Sequence, residues 1–433
     1  MANIAETLNN PGEISWDVMT LLNINNVRLD ILMMCSEVHL YEDIFSNSMH
    51  GWAWVVDTIG MIDAFPIVGQ EELYIKYHTP ATKFSMDKKF RVTGVTNRKI
   101  IGNKQTYKMH FIGYDAYVDL TGKEQRAFLG TADTIIPDIL KSVNTQSNKI
   151  SSTQVVVKLN IGKLRAKNRM KFVSPSWSPF KCINYVASSA ISTTYNVADY
   201  LFFENRDGYQ FKSLTEIFSE PVSDIFKYDA SVGSINGTDN IIELMAKIKN
   251  LEFIQNSDQL QRFLHSGYGT KTISHDLMSK TINVEPLYSP KNEQYKIPML
   301  NNFDGVIVSD KEFTAFKSNF NFQISVSNSL AHNEITTDNN GIVTNTRQLM
   351  LSRLGFTELN VEIWGRSWLT VGDVVWVQLG SYTEKLNDTD KQESSASSGK
   401  YLVSAIHHIL APLQHKIIMQ LVKESTIEKT AAK

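Results

Sequence analysis

The residue types best suited to chemistry are present in this chain, but they do not gather. His407-His408 is the one adjacent pair among ten histidines. Neighbouring side chains on a strand point to opposite faces, so the pair is poorly set to chelate one ion and reads as strand histidine, half-exposed. Ser266-Gly267-Tyr268-Gly269 puts a serine in a glycine-rich turn, yet lacks the Gly-x-Ser-x-Gly spacing of a nucleophile elbow. The carboxylates are numerous and scattered, and no pair stands out as the acid and nucleophile of a glycosidase. No Gly-x4-Gly-Lys-[Ser/Thr], Gly-x-Gly-x-x-Gly or His-Glu-x-x-His occurs. Cys35 and Cys182 cannot make a disulfide framework or a four-thiolate metal site, and their apolar surroundings predict buried, inert thiols. The sequence therefore assigns no catalytic, cofactor-binding or metal-ligating residue. The expectation is a protein that is not an enzyme and needs no cofactor.

One basic cluster stands out: Lys158, Lys163, Arg165, Lys167, Arg169 and Lys171. It would suit a phosphate backbone or an acidic partner surface. A solvated loop or edge strand, where charge blocks unwanted pairing, is the better reading. If the cluster does bind, protein is favoured over nucleic acid, because Phe172 is the one stacking aromatic nearby. Bulk composition agrees. The 433 residues carry 43 basic and 45 acidic side chains, a net charge of -2, without the basic excess of a nucleic-acid binder. With 42% hydrophobic and 20% charged residues the chain reads as folded, with room for about three domains. Residues 1–11 lack a signal-peptide pattern, and no uninterrupted apolar stretch approaches the ~18 residues of a membrane span.

The elements that would position these residues follow a repeat. Val68-Gly69-Gln70-Glu71-Glu72-Leu73-Tyr74-Ile75, then Phe90-Arg91-Val92-Thr93-Gly94-Val95, then Tyr107-Lys108-Met109-His110-Phe111, form one copy. Val371-Gly372-Asp373-Val374-Val375-Trp376-Val377, then Tyr401-Leu402-Val403-Ser404-Ala405-Ile406, then Ile417-Ile418-Met419-Gln420-Leu421, form the other. Each reads as a glycine turn feeding a strand, followed by two alternating strands. So distant a repeat is a duplicated domain and not a solenoid. Short strands at turn-like spacing predict a closed or nearly closed antiparallel barrel in each copy. Two similar barrels in one chain suit a protein that matches symmetries.

The expected fold class is α+β, mainly β, with two similar antiparallel β-barrel (tube) domains flanking smaller α+β domains. The expected units are a first barrel over residues 14–130, an α+β insertion over 131–230, a mixed insertion over 231–340, and a helix plus second barrel over 341–425. Asp133 is placed to cap a helix bearing Ile135, Ile136, Ile139, Leu140 and Val143, with Pro137 in its first turn or bending it. Ser178-Pro179 should start another helix, with the serine as cap. Residues 200–211 read as a hairpin closing on Asp207-Gly208. Short helices are expected at 241–249 and 344–356, and mixed strands and loops over 260–330. A mobile loop is expected between Tyr382 and Gly399, and a frayed tail after Val422.

Phe172-Val173-Ser174-Pro175-Ser176-Trp177-Ser178-Pro179-Phe180-Lys181-Cys182-Ile183-Asn184-Tyr185, followed by Phe202-Phe203-Glu204-Asn205 and Asp207-Gly208, resembles the central baseplate hub proteins of contractile-tailed bacteriophages. Phe263-Leu264-His265-Ser266-Gly267-Tyr268-Gly269 is similar to a region of those hubs, as is the run from Leu369 to Val375 with Ser398-Gly399-Lys400-Tyr401-Leu402-Val403. The resemblance covers roughly residues 30 to 424. It implies a homotrimer with two tube domains per subunit, whose six domains adapt a threefold central spike to the sixfold tail tube and line the conduit for genome ejection. The related type VI secretion spike fuses its barrel pair to a following spike. Here the implied spike is a separate protein. The implied partners are that spike, the tail tube or tube-initiator proteins, and neighbouring baseplate proteins, with DNA only as passing cargo. The implied location is the virion baseplate, after assembly in the host cytoplasm. Nothing in the chain resembles a wall-degrading lysozyme domain. A polar or acidic lumen is expected, so that DNA slides without sticking. The alternative is a carbohydrate-binding or carbohydrate-degrading protein at the host surface, with Trp52, Trp54, Trp364, Trp368 and Trp376 as an exposed aromatic row; their alternation with apolar residues favours core or interface.

Overall fold

The computed structural model describes residues 8–65, 67–80, 82–102, 104–150, 157–228, 241–256, 270–276, 280–284, 297–304, 319–325, 340–380 and 397–427. The architecture is mainly β, and its largest element is a thirteen-stranded sheet. That sheet contains two sets of six strands. The N-terminal set is Ser15–Leu22, Cys35–Asp43, His50–Asp57, Glu72–His78, Ser85–Ile101 and Lys104–Gly113. Counted in chain order, its strands lie side by side as first, fourth, fifth, sixth, third and second. The C-terminal set is Val222–Tyr228, Asn250–Asn256, Thr357–Trp364, Val374–Leu379, Gly399–Leu410 and His415–Lys423, and its strands follow the same spatial order.

The correspondence extends to detail. A bulge falls between Val92 and Gly94 in the fifth strand of one set and between Val403 and Ala405 in the fifth strand of the other. Gly69 and Gly372, each leading into a fourth strand, both take positive φ, 86 and 88 degrees, which favours residues without a Cβ. A carboxylate follows each glycine and accepts from the turn: Glu71 from the Val68 amide at 2.7 Å, Asp373 from the Thr370 amide at 3.0 Å. Alternation supplies each core. Leu73, Ile75 and Tyr77 point inward from one fourth strand, Val375, Val377 and Leu379 from the other. The sets differ in one pairing: the first strand lies antiparallel to the fourth in the N-terminal set and parallel in the C-terminal one.

The expectation of two closed barrels requires correction. Hydrogen bonding runs through both sets as one open sheet. The reason lies at the edge of Cys35–Asp43, which is occupied by Gly399–Leu410 of the other set. Each set still curls around its own interior. Met19 and Leu21 of the first strand and Val38 and Leu40 of the second join Ile75 and Phe111 in one cluster. Val374, Tyr401, Ile417 and Leu421 centre the other.

A smaller α+β unit lies between the two sets in sequence. Helices Ala132–Ile150 and Pro179–Ser189 pack on the Tyr200–Asn205 and Gly208–Ser213 hairpin around Ile136, Ile139, Phe180, Val186, Tyr209 and Phe211. Ile135, Ile136, Ile139, Leu140 and Val143 face inward as their spacing predicts. The caps differ from expectation. The Asp133 carboxylate accepts from the Ala166 amide at 2.9 Å, and Pro137 sits inside the helix beyond its first turn. Ser178 makes no side-chain cap bond; Asp119 instead accepts from the Phe180 amide at 2.6 Å. Asp119 belongs to a helix the sequence reading missed, Tyr114–Thr121.

The expected frayed tail is corrected for its first residues, while 428–433 lie outside the described residues. Lys423, Glu424, Ser425 and Thr426 are at most 3% exposed. Ser425–Thr426 pairs with Phe303–Asp304, and the Lys423 ammonium donates to the Ser397 and Ser398 carbonyls at 3.1 Å each. Helices Ile241–Ala246 and Asn340–Leu354 stand near their predicted positions. Of the mixed 260–330 region, Thr270–Asp276, Thr281–Val284 and Asn319–Ser325 form a three-stranded sheet. Ser266-Gly267-Tyr268-Gly269 and the loop expected after Tyr382 lie outside the described residues. Among the described residues no helix is long and apolar enough to cross a membrane.

Candidate functional site

The most distinctive site is the seam that joins the two repeats. Gly399–Leu410 is a shared strand: residues 399–402 pair with 374–377 of its own set, and beyond the bulge residues 405–410 pair with 38–43 of the other. A strand edge that would otherwise invite a foreign chain is thus covered from within.

A polar relay lies buried beneath this seam. Glu42 is 1% exposed, and one of its oxygens accepts from the Thr370 hydroxyl at 2.5 Å and the Val371 amide at 3.1 Å. Its other oxygen lies 3.3 Å from His408 Nε2. An ionised carboxylate can only accept, so Nε2 carries a proton and donates to it. His408 Nδ1 and His415 Nε2 lie 3.0 Å apart and share a hydrogen bond. Within the relay, His415 Nδ1 is buried without a hydrogen-bond partner among the described residues. Burial alone would raise the Glu42 pKa, but the bonds from His408, Thr370 and Val371 outweigh it and hold the carboxyl below its ordinary value. His415 is held well below its ordinary value, first by burial and then by His408 and Arg366. The relay joins Glu42 of one repeat to a turn, a strand and a hairpin end of the other. Glycine makes room for it, since a Cβ on Gly365 would collide with the His415 ring.

On the opposite face of the same strands lies an aromatic ladder. His39 stacks on Trp52 with ring centres 3.7 Å apart, Tyr41 stacks on His407 at 4.3 Å, and the Lys108 ammonium sits 3.8 Å over Trp52. His39 Nδ1 and His407 Nε2 are 2.8 Å apart. Burial, then His39 and His408, lower the His407 pKa to about 4, so His407 is neutral near pH 7; burial also lowers His39.

A second junction ties the α+β unit to both repeats. Glu204 accepts from the Met49 amide at 3.0 Å, the Ser48 hydroxyl at 2.9 Å and the Lys88 ammonium at 2.8 Å, all in the N-terminal repeat. Two residues on, Arg206 donates to the Ser367 carbonyl at 2.9 Å, and its amide reaches the Thr370 hydroxyl at 3.2 Å. Phe202 enters the core of the α+β unit and Phe203 that of the C-terminal repeat. The Phe202-Phe203-Glu204-Asn205 run therefore stands where three units meet.

These features tie the two repeats and the α+β unit to one another within the chain. No family model matches the chain. A protein of Vibrio phage KVP40 described as "Probable baseplate hub protein gp334" is 19% identical over 406 residues, 90% of each chain. The chain resembles a phage baseplate hub protein. Two solved tail proteins share its fold. The 43 kDa tail protein of prophage MuSo2 from Shewanella oneidensis has a TM-score of 0.50 at 9% identity, over 94% of this chain and 98% of that one. The tail protein from Neisseria meningitidis MC58 has a TM-score of 0.51 at 8% identity, over 94% and 96%.

The hub-like chain disperses the remaining residues that the sequence singled out. His407 and His408 do face opposite sides of their strand, one into the ladder and one into the relay. Cys35 and Cys182 are buried free thiols, and burial followed by the Asp30 charge pushes Cys35 up to about 12. Lys158, Lys163, Arg165, Lys167 and Arg169 are exposed, and Lys171 is half-buried. All seven tryptophans are half-buried, so no exposed aromatic row forms. The relay itself escaped the sequence, because Glu42 and His408 are 366 residues apart.

Proposed function

We propose that this protein is the structural hub at the centre of a phage tail baseplate, a virion component assembled in the host cytoplasm. In this reading a homotrimer presents six copies of the repeated unit as a ring. The ring adapts a separate threefold spike to the sixfold tail tube, contacts neighbouring baseplate proteins, and encloses the path of the ejected DNA with a polar or acidic lumen. Each repeat acts as a tube domain, curled around its own core and completed as a barrel wall by its neighbours. The units are residues 14–130 and 341–425, with insertions at 131–230 and 231–340 that lend Val222–Tyr228 and Asn250–Asn256 to the C-terminal sheet. The role is mechanical, without catalysis.

The observation that carries this reading is the duplicated strand order joined edge to edge within one chain. A unit that already docks on a copy of itself by strand pairing has the means to build a ring, and a closed ring removes its exposed edges. Sequence similarity to a baseplate hub protein over 90% of each chain supports the same role. The test is the mass of the purified chain in solution, measured by light scattering with and without a candidate spike. The reading predicts a stable species of about three times 49.0 kDa. A chain that stays a monomer with the spike present contradicts it.

A further inference from the structure

The internal seam has a counterpart left open. Its C-terminal member is the fifth strand of one repeat beyond its bulge, residues 405–410, and its N-terminal member is the second strand of the other, residues 38–43. By the duplicated order, the equivalent fifth strand of the N-terminal repeat is Ser85–Ile101 beyond its bulge at Val92/Gly94, and the equivalent second strand of the C-terminal repeat is Asn250–Asn256. Among the described residues, residues 94–101 pair only with Lys104–Gly113, and Asn250–Asn256 pairs only with Thr357–Trp364. Among the described residues each therefore keeps a free edge.

The exposures of equivalent residues differ sharply. Leu410 is 1% exposed and its counterpart Ile100 68%; Leu40 is 0% exposed and its counterpart Phe253 39%. Ile101 at 66% and Ile254 at 48% add further apolar surface to the two bare edges. Surface of this kind on equivalents of a buried seam marks an interface awaiting its partner.

We infer that residues 95–100 of one subunit pair antiparallel with residues 251–256 of a second copy of this chain, repeating between subunits the seam seen within one. This rests on the ring reading and names the contact that closes it. Carrying the internal register across places Val95 opposite Asn256, Thr96 opposite Gln255, Lys99 opposite Glu252 and Ile100 opposite Leu251. Between Thr96 and Lys99 the first strand has two residues, Asn97 and Arg98, where the internal seam has one, His408. The second strand has a matching pair, Phe253 and Ile254, where the internal seam has Leu40. The extra residues fall on the same rung, so the register runs on without a slip. Side chains agree with it: Lys99 meets Glu252, Arg98 meets the Phe253 ring, and Ile100 meets Leu251. Because the two surfaces are different, the contact is head-to-tail and generates a ring when its rotation closes.

The test is the full-length K99C/E252C double variant, oxidised mildly and run without reductant. Cβ atoms of directly opposed residues lie about 5 Å apart, within reach of a disulfide after small adjustment. The native cysteines are buried and do not compete. Covalent oligomers up to a trimer, absent from either single variant, are expected. As a second reading, Lys99→Glu should weaken self-association up to about fivefold, with Glu252→Lys restoring it in the double reversal. Trimers of normal mass that neither cross-link nor respond to the reversals overturn this strand assignment and leave the hub reading standing. A chain monomeric with the spike present overturns both.

Discussion

At the scale of single residues, the seam depends most on Glu42. It is the one acceptor for three donors, the Thr370 hydroxyl, the Val371 amide and His408 Nε2. Glu42→Ala would strand all three in a dry interior, and removing one partner of a buried charged cluster typically costs about 3–5 kcal/mol. Chemical denaturation should show a loss at the lower end of that range, about 3 kcal/mol. A loss under about 1 kcal/mol, the size of an ordinary surface change, would mean that the relay does not hold the repeats together. How far such residues can be read from sequence is instructive. Strand period alone correctly sent His407 and His408 to opposite faces, because adjacent strand positions always diverge. Their partners were illegible, since Glu42 and Thr370 reach His408 only through the tertiary fold. Ser178 takes the cap position and Pro179 opens the helix as the sequence predicts, but the cap bond comes from elsewhere: Asp119, on a helix hidden within Tyr114-Asp115-Ala116-Tyr117-Val118-Asp119, accepts from the Phe180 amide.

At the scale of elements, the shared strand Gly399–Leu410 carries histidines on both faces of the seam, which makes its pairing sensitive to acid. Burial lowers the pKa of His415 and His407, the latter to about 4, and burial also lowers His39 and His50 on the ladder. In the folded seam these histidines thus bind fewer protons than in the unfolded chain once the pH drops below about 6.5, the unfolded histidine value, while burial pushes the nearby Asp373 up to about 7 and offsets part of that loss. Stability should be full above that pH and fall progressively toward pH 4. Glu42, whose folded pKa is depressed, adds a further loss at lower pH as it is protonated. Denaturant midpoints measured from pH 8 down to pH 4.5 should decline with a break near 6.5; a flat profile would show that the histidines stay hydrated or paired. The strands themselves were legible because half-buried antiparallel strands alternate clearly, as Leu73, Ile75 and Tyr77 do. Closure of each barrel was misread because alternation says which face is buried and nothing about which edge is occupied. The buried Lys423-Glu424-Ser425-Thr426 was misread as a frayed tail for the same reason: its partners, Phe303–Asp304 and the Ser397 and Ser398 carbonyls, are distant in sequence.

At the scale of the whole molecule, the repeat was visible from the sequence in three of its six strands, and the structure extends the same order to all six. Two of the remaining three were hidden because Val222–Tyr228 and Asn250–Asn256 come from segments that read as insertions, far from the sheet they join. In the hub proposal, what the protein does follows from how these repeats continue beyond one chain. The most direct test of that continuation is an end-on view of the purified assembly by electron microscopy. A closed ring of six similar densities, with threefold symmetry and a central opening, is the predicted result. A compact particle without an opening, or a ring in which the two repeats of each chain do not alternate around one axis, would contradict it.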